Sequence, residues 1–250
     1  MAEGYLLDLD GTLYLGDEAL PGALEAVHHL VEREIPRRYL TNTTRFARRE
    51  LAERLRRMGF PIEAEEIFTA PRAAASWLRR AGLHRVALFV PAPTHEDFRD
   101  LEITDDEPAA VVVGDLGEAW SFEALNQAFR HLLGGARLVA LQKNRYWRRP
   151  DGLALDAGPF VAALEYAASL EALVVGKPSR EFFHLAAASM GVSPERVTVV
   201  GDDLEADIGG AQAAGMRAVL VRTGKFREEL LRSTSIRPDR VVDHVAAAVE

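Results

Sequence analysis

The sequence predicts an α/β fold on parallel sheets, with a second α/β unit inserted into the first. Three observations lead there. From Tyr5 to Ala81, short apolar runs alternate with segments of helical period in the order strand, helix, strand, helix. Far along the chain, Val197–Val200 is continuously apolar or β-branched, as suits a central parallel strand covered on both faces. Between them, residues 82–176 change texture and carry strands and helices of their own. The expected organisation is one unit from residues 1–81 and 177–250, closed by both ends of the chain, and a second from 82–176.

In chain order, Tyr5–Leu9 is a short apolar run ending in Asp8-Leu9-Asp10-Gly11, as a buried strand does on leaving its sheet. From Pro21 to Glu34, Leu24, Val27 and Leu30 recur at helical spacing among charged residues. Arg38–Leu40 is a second strand with the polar end Thr41-Asn42-Thr43-Thr44. Thr44 is expected to cap a helix that carries Leu51, Leu55 and Met58 on one face and stops at Gly59. Another helix follows over Ala70–Ala81. In the middle section, strands at Val86–Val90 and Ala110–Val113 flank an acidic stretch from Asp100 to Glu107, whose Asp105-Asp106-Glu107 reads as a solvated turn. A helix through Phe122, Leu125, Phe129 and Leu132, the strand Arg137–Leu141, a helix over Gly158–Leu170 and a strand over Ala172–Val175 complete that section. Its Arg145–Leu155 segment is basic and aromatic around a Pro-Asp-Gly turn, and reads as a hairpin with arginines in solvent and aromatics packed. After Gly176-Lys177-Pro178, Ser179 is placed to cap a helix, and Pro194 takes the favoured first position of a helical turn. A helix over Ala206–Ala214, a strand over Ala218–Val221 and a terminal strand and helix end the chain, with no internal repeat.

Composition narrows the function classes. Of 250 residues, 48% are hydrophobic and 27% charged, the balance of a globular protein with a sizeable core. The apolar runs are too short for a membrane span, and the start lacks the basic and apolar regions of a signal peptide, so the expected compartment is cytoplasmic, with no membrane partner. A formal charge of −8 argues against a nucleic-acid partner, which needs a basic face. With no cysteine, disulfides, thiolate nucleophiles and cysteine-ligated metals are excluded. The seven histidines show no ligand spacing and read as structural or exposed. Lysine occurs only at Lys143, Lys177 and Lys225, which makes each conspicuous.

Four polar clusters fall at strand ends: Asp8-Leu9-Asp10-Gly11-Thr12, Thr41-Asn42-Thr43, Gly176-Lys177-Pro178, and Gly201-Asp202-Asp203 with Asp207. Ligands of open parallel sheets bind outside the carboxyl ends of the strands, where segments distant in sequence converge. Asp8 and Asp10 leave extended backbone on the same side, and two carboxylates that close need a cation or a proton between them. Both outcomes serve phosphoryl transfer. A charged Asp8 can attack phosphorus while a protonated Asp10 donates to the leaving oxygen and later takes a proton from water. Mg²⁺, a hard cation preferring oxygen ligands, would offset the repulsion between the two anions, with Asp202 as a further ligand. Lys177 would neutralise more charge, and Thr41 would hold a phosphoryl oxygen.

These motifs resemble those of the haloacid dehalogenase superfamily. Asp8-Leu9-Asp10-Gly11-Thr12-Leu13 is similar to its first motif, and Thr41-Asn42, Lys177 and Gly201-Asp202-Asp203 through Asp207 to its second, third and fourth, in order and without departure. The place of the second unit resembles a C2-type cap, as in the nagD-like and phosphoglycolate phosphatase-like subclass. Leu125-Asn126-Gln127-Ala128-Phe129, Asp151-Gly152-Leu153-Ala154-Leu155, Val175-Gly176-Lys177-Pro178 and Gly209-Gly210-Ala211-Gln212 look closest to one family within it. That family comprises haloacid dehalogenase-like hydrolase domain-containing protein 2 and phospholysine phosphohistidine inorganic pyrophosphate phosphatase. The resemblance implies a Rossmann-like core with a mobile cap, and a Mg²⁺-dependent phosphatase working through an aspartyl-phosphate. Asp8 would be nucleophile and metal ligand. Asp10 would be the acid/base, lending its backbone carbonyl to the metal, and Asp202 would bind the metal directly. Thr41, Asn42 and Lys177 would bind the substrate phosphate, with Asp203 and Asp207 supporting from behind. The expected partner is a small phosphorylated metabolite such as a sugar phosphate, a nucleotide or phosphoglycolate. A homodimer through the cap is also implied, with the segment around Trp147 as a candidate surface.

Plainer readings exist for each part. Thr41-Asn42 alone is a helix-capping turn, a lone lysine is usually solvated, and Asp203 or Asp207 early in a helix also suits the dipole. The four motifs in order outweigh them. A phospho-accepting receiver domain needs no cap and lacks an acid two residues after its aspartate. A non-catalytic scaffold binding a partner through the cap is the other rival, and the intact Asp8, Asp10, Lys177 and Asp202 count against it.

Overall fold

The computed structural model describes residues 3–44, 46–149 and 152–249. The chain divides into two compact units, one of Met1–Thr41, Arg48–Phe68 and Lys177–Glu250, the other of Asn42–Ala47 and Thr69–Gly176. The helix Ala70–Arg80, expected with the first unit, groups with the second. Its contacts explain why: Thr69 Oγ1 donates to Asp97 at 3.3 Å, Arg79 pairs with Asp100 at 3.0 Å, and the Arg137 guanidinium stacks 5.2 Å from the Trp77 ring centre.

In the first unit a six-stranded sheet runs in the order Arg240–Val242, Arg217–Val221, Val197–Gly201, Gly4–Asp8, Arg37–Thr41, Ile67–Thr69. The register pairs Leu7 with Val200 and Asp8 with Leu40, in parallel. The chain leaves Gly4–Asp8 toward one edge and returns on its other side, so the strand order reverses beside Asp8, where open α/β sheets bind ligands. Every residue of Gly4–Asp8 and of Val197–Gly201 is buried, which accounts for continuous rather than alternating apolar sequence. On one face, Tyr5 and Leu7 pack with Val27 and Leu30 of the helix Ala23–Glu32, with Leu51 and Leu55 of the helix Arg48–Arg57, and with Val249. Leu6 is left for the other face, where the helix Arg180–Ala188 lies against the strand and Phe182 meets Phe68 edge-on at 5.4 Å.

The second unit has its own parallel five-stranded sheet, in the order Leu173–Val174, Arg137–Ala140, Ala110–Val113, Arg85–Phe89, Glu102–Ile103. The helices Phe122–Leu133 and Ala157–Ala168 bury Ala128, Leu132, Val161 and Leu164 against Val111, Val113 and Leu138. An antiparallel hairpin pairs Tyr146–Arg149 with Gly152–Leu155. Residues 150–151 and the side chains of 147–149 and 153 lie outside the described residues; Arg145 is exposed as expected, whereas Tyr146, expected to pack, is exposed too.

Some local expectations change. The helix expected to be capped by Thr44 begins four residues later, at Arg48. Ser179 precedes its helix without a side-chain cap bond. The helix expected over 206–214 opens as a π-helical turn, Leu204–Gly209, before the α-helical Gly210–Ala213. Asp203 imposes that start, its Oδ1 accepting the N–H groups of Glu205 at 3.1 Å and Ala206 at 2.9 Å. Among the described residues, no helix is long and apolar enough to cross a membrane.

Candidate active site

At the carboxyl end of the first sheet, adjacent strands deliver Asp8 and Asp202, and the loop before Arg180–Ala188 delivers Lys177. Lys177 Nζ donates to Asp8 Oδ1 and, at 2.6 Å, to Asp207 Oδ1. Carboxylate oxygens of Asp8, Asp202 and Asp207 lie within 4.8 Å of one another, and all three residues are buried. Asp207 Oδ2 accepts the Asp203 N–H at 3.1 Å, so both of its oxygens are engaged. Gly201 makes this approach possible, because a Cβ there would run into the Asp207 carboxyl. Thr12 Oγ1 donates to Asp8 Oδ2 at 3.4 Å. Asp202 Oδ2 accepts the Lys225 N–H at 2.6 Å, and Lys225 Nζ pairs with Asp203 Oδ2 at 3.0 Å.

The cluster holds more negative charge than its lysines balance. Burial pushes the Asp8 carboxyl up to about 6, Lys177 opposing the rise and Asp202 adding to it. Asp202 is also pushed up to about 6 by burial, opposed first by the Lys225 N–H and raised further by the charge of Asp207. Asp207 reaches about 6 through burial and the charge of Asp8, against Lys177. Burial works against the charge of Lys177, but Asp207 and Asp8 outweigh it and hold the ammonium well above its ordinary range. Asp203 differs. Despite its burial, the N–H of Ala206 and the Lys225 charge hold its carboxyl below the usual range. Three buried oxygen-donor groups short of positive charge fit a hard divalent cation such as Mg²⁺.

The structure thus brings together Asp8, Lys177, Asp202, Asp203 and Asp207. Thr41 ends its strand one residue past Leu40, the register partner of Asp8, and is buried. Asn42 groups with the second unit. Asp10 is exposed and its carboxylate is not one of the three clustered; its backbone bridges to Tyr14 in the tight turn after Asp8. Sequence reasoning missed Thr223 and Lys225, which reach the cluster from the loop after Arg217–Val221. One signal was present for the latter: with only three lysines in the chain, two stand at this cluster.

Comparison with known proteins decides the family. Residues 5–104 match the family described as haloacid dehalogenase-like hydrolase, and residues 174–248 match HAD-hydrolase-like, the abbreviation standing for the same haloacid dehalogenases. Human haloacid dehalogenase-like hydrolase domain-containing protein 2 is 47% identical over 89% of this chain and 85% of its own. The chain belongs to the haloacid dehalogenase-like hydrolase family. The C2-capped subclass expected from the motifs and from the inserted unit also holds. This hydrolase is 39% identical to human phospholysine phosphohistidine inorganic pyrophosphate phosphatase, over 99% of this chain and 93% of that one. Its fold matches p-nitrophenyl phosphatase from Archaeoglobus fulgidus with a TM-score of 0.91 at 30% identity, covering 99% of this chain and 98% of that one.

Proposed function

We propose that this hydrolase is a Mg²⁺-dependent phosphatase of small phosphomonoesters, working through an aspartyl-phosphate on Asp8. The observation that carries the reading is the Lys177 ammonium shared between Asp8 and Asp207, with Asp202 in the same buried cluster. The phosphatase names of its relatives support the same chemistry. Asp8, Asp202 and the backbone carbonyl of Asp10 would hold the Mg²⁺, which when bound supplies the positive charge that lets one anion approach another. Asp207, with both oxygens engaged, keeps Lys177 in place.

In the first half-reaction an Asp8 carboxylate oxygen bonds to phosphorus and the ester P–O bond breaks. Asp10, as the carboxylic acid, gives its proton to the departing alkoxide. In the second, Asp10 takes a proton from water as the water oxygen bonds to phosphorus, and the Asp8–phosphorus bond breaks to release phosphate. The exposure of Asp10 suits a group that must meet both a leaving group and a water. Lys177, Thr41 and Asn42 bind phosphoryl oxygens. Sugar phosphates, nucleotides and phosphoglycolate are the expected substrate types.

The test is hydrolysis of p-nitrophenyl phosphate with Mg²⁺ and with EDTA. Turnover is expected to require the metal and to fall at least about a thousandfold in Asp8→Asn. Metal-dependent turnover surviving that substitution would overturn the role of Asp8. A folded wild type inactive on this ester and on a panel of phosphometabolites would favour a binding scaffold instead.

A further inference from the structure

Three neighbouring parallel strands end side by side at the cluster: Gly4–Asp8, Val197–Gly201 and Arg217–Val221. The proposed chemistry uses loops from the first two. The third loop, Thr223-Gly224-Lys225, contributes no catalytic group, yet it grips both of the others. Thr223 Oγ1 donates to the Gly11 carbonyl at 2.5 Å, in the turn that carries Asp10 and Thr12. The Lys225 N–H donates to Asp202 Oδ2 at 2.6 Å, the one hydrogen bond of that side chain among the described residues. The Lys225 ammonium pairs with Asp203, next in the chain, at 3.0 Å. Gly224 sits between these grips at φ 54°, a left-handed conformation that costs glycine little. A Cβ on it would lie 2.6 Å from Gly11 Cα and 2.8 Å from the Asp202 carboxyl carbon, and would strike Oδ2.

We infer that Thr223-Gly224-Lys225 is a positioning clamp, setting the metal-holding Asp202 and the Gly11 turn against each other before substrate arrives. The inference rests on the metal-dependent reading above. Fixing Asp202 through Oδ2 leaves Oδ1 for the cation, so the ligand is oriented without being used up. Fixing the Gly11 carbonyl orients the turn on whose two sides stand Asp10, the acid/base, and Thr12, which donates to Asp8. Groups that orient metal ligands from behind typically change metal affinity 10- to 100-fold when removed, on the order of what is expected here. Lys225 acts on Asp202 through its backbone, so the chain path, and glycine at 224, matter more than its side chain.

The test measures three quantities on wild type, Gly224→Ala, Thr223→Val and Thr223→Ser. These are Mg²⁺ affinity by calorimetry, kcat and KM on p-nitrophenyl phosphate, and melting in EDTA as the check of folding. Gly224→Ala is expected to bind Mg²⁺ at least about tenfold more weakly. Thr223→Val is expected to lose about tenfold in kcat with KM within about twofold, and Thr223→Ser to recover most of it, because the hydroxyl orients the turn without touching substrate. A folded Gly224→Ala that matches wild type in Mg²⁺ affinity overturns the clamp. If Gly224→Ala does not fold, the threonine pair decides: equal kcat and Mg²⁺ affinity in Thr223→Val and wild type overturns it equally. A wild type that neither binds Mg²⁺ nor hydrolyses the ester sinks the phosphatase reading and the clamp with it. An active wild type with indifferent variants sinks the clamp alone.

Discussion

Each unit of this hydrolase has a parallel sheet with buried polar side chains just past its strand ends, and the two sets are used in opposite ways. In the second unit, Asp115 follows the strand Ala110–Val113 and accepts the Gly117 N–H at 3.1 Å. Gln142 follows Arg137–Ala140, donates to Asp156 and accepts the Asn144 N–H at 2.6 Å. Asp156 accepts the N–H of Ala157 at 2.8 Å, at the start of the helix Ala157–Ala168. Gln142 and Asp156 bond to near neighbours in sequence, and their geometry is that of turns and caps. In the first unit, the partners of Asp8 and Asp207 include a lysine 169 and 30 residues away, and Asp8, Asp202 and Asp207 are all pushed up to about 6. A buried carboxylate at a strand end is therefore no sign of function by itself. What distinguishes the first sheet is that three carboxylates come within 4.8 Å of one another around a buried lysine.

The strongest way to break this contrast is Lys177→Ala in the metal-free protein. Removing the ammonium strands two buried carboxylates, and at pH 7 the expected loss is about 3–5 kcal/mol of stability. The carboxyl groups of Asp8 and Asp207 have folded pKa values raised to about 6 from an ordinary 3.8, so their charge penalises the folded state as pH rises through that range. Below it they bind protons and need the lysine less. The loss should therefore shrink from pH 7 to pH 5, as urea unfolding in EDTA would show. A loss of equal size at both values would mean that Lys177 serves packing and not charge.

Metal addition sharpens the same point with a smaller effect. Without a cation, the raised pKa values of Asp8, Asp202 and Asp207 make this cluster's contribution to stability fall as pH climbs from about 4 through about 6. Mg²⁺ competes with those protons, so the rise in Tm between EDTA and excess Mg²⁺ should be larger at pH 7 than at pH 5. A rise independent of pH would place the ion away from these carboxylates.

The groups of the proposed reaction were legible in the sequence for a physical reason: attack on a phosphate would demand particular residue types at strand ends, and Asp8, Asp10, Lys177 and Asp202 stand there whatever packs around them. The strands Gly4–Asp8 and Val197–Gly201 were equally plain, because burial on both faces leaves a continuous apolar run. What was hidden depends on distant geometry. The double engagement of Asp207 follows from the π-helical turn at Leu204–Gly209, which helical periodicity does not announce. Thr223 looks like any loop residue, and Lys225 stands out only by the rarity of lysine, until three strand ends are set side by side. The strand Ile67–Thr69 is only 3 residues long, too short to show a period. In Thr41-Asn42-Thr43-Thr44 every residue is a plausible cap, so composition could not say that the helix starts at Arg48.

The smallest expected effect comes from the other side of the comparison. Asp156→Ala removes a buried carboxylate just past the hairpin strand Gly152–Leu155 of the second unit, a position superficially like that of Asp202. Its work is local: it accepts the Ala157 N–H at the start of a helix and receives the Gln142 amide. The expected cost is that of a lost cap, about 1 kcal/mol, seen as a lowered Tm. Leaving the Gln142 amide without its acceptor adds to that cost, so Asp156→Asn, which keeps an acceptor oxygen, should be milder than the alanine variant. Neither variant should change Mg²⁺ affinity by calorimetry, because neither replaces a group of the proposed Mg²⁺ site. A tenfold loss of Mg²⁺ affinity in a folded Asp156→Ala would show that Asp156 does more than cap its helix.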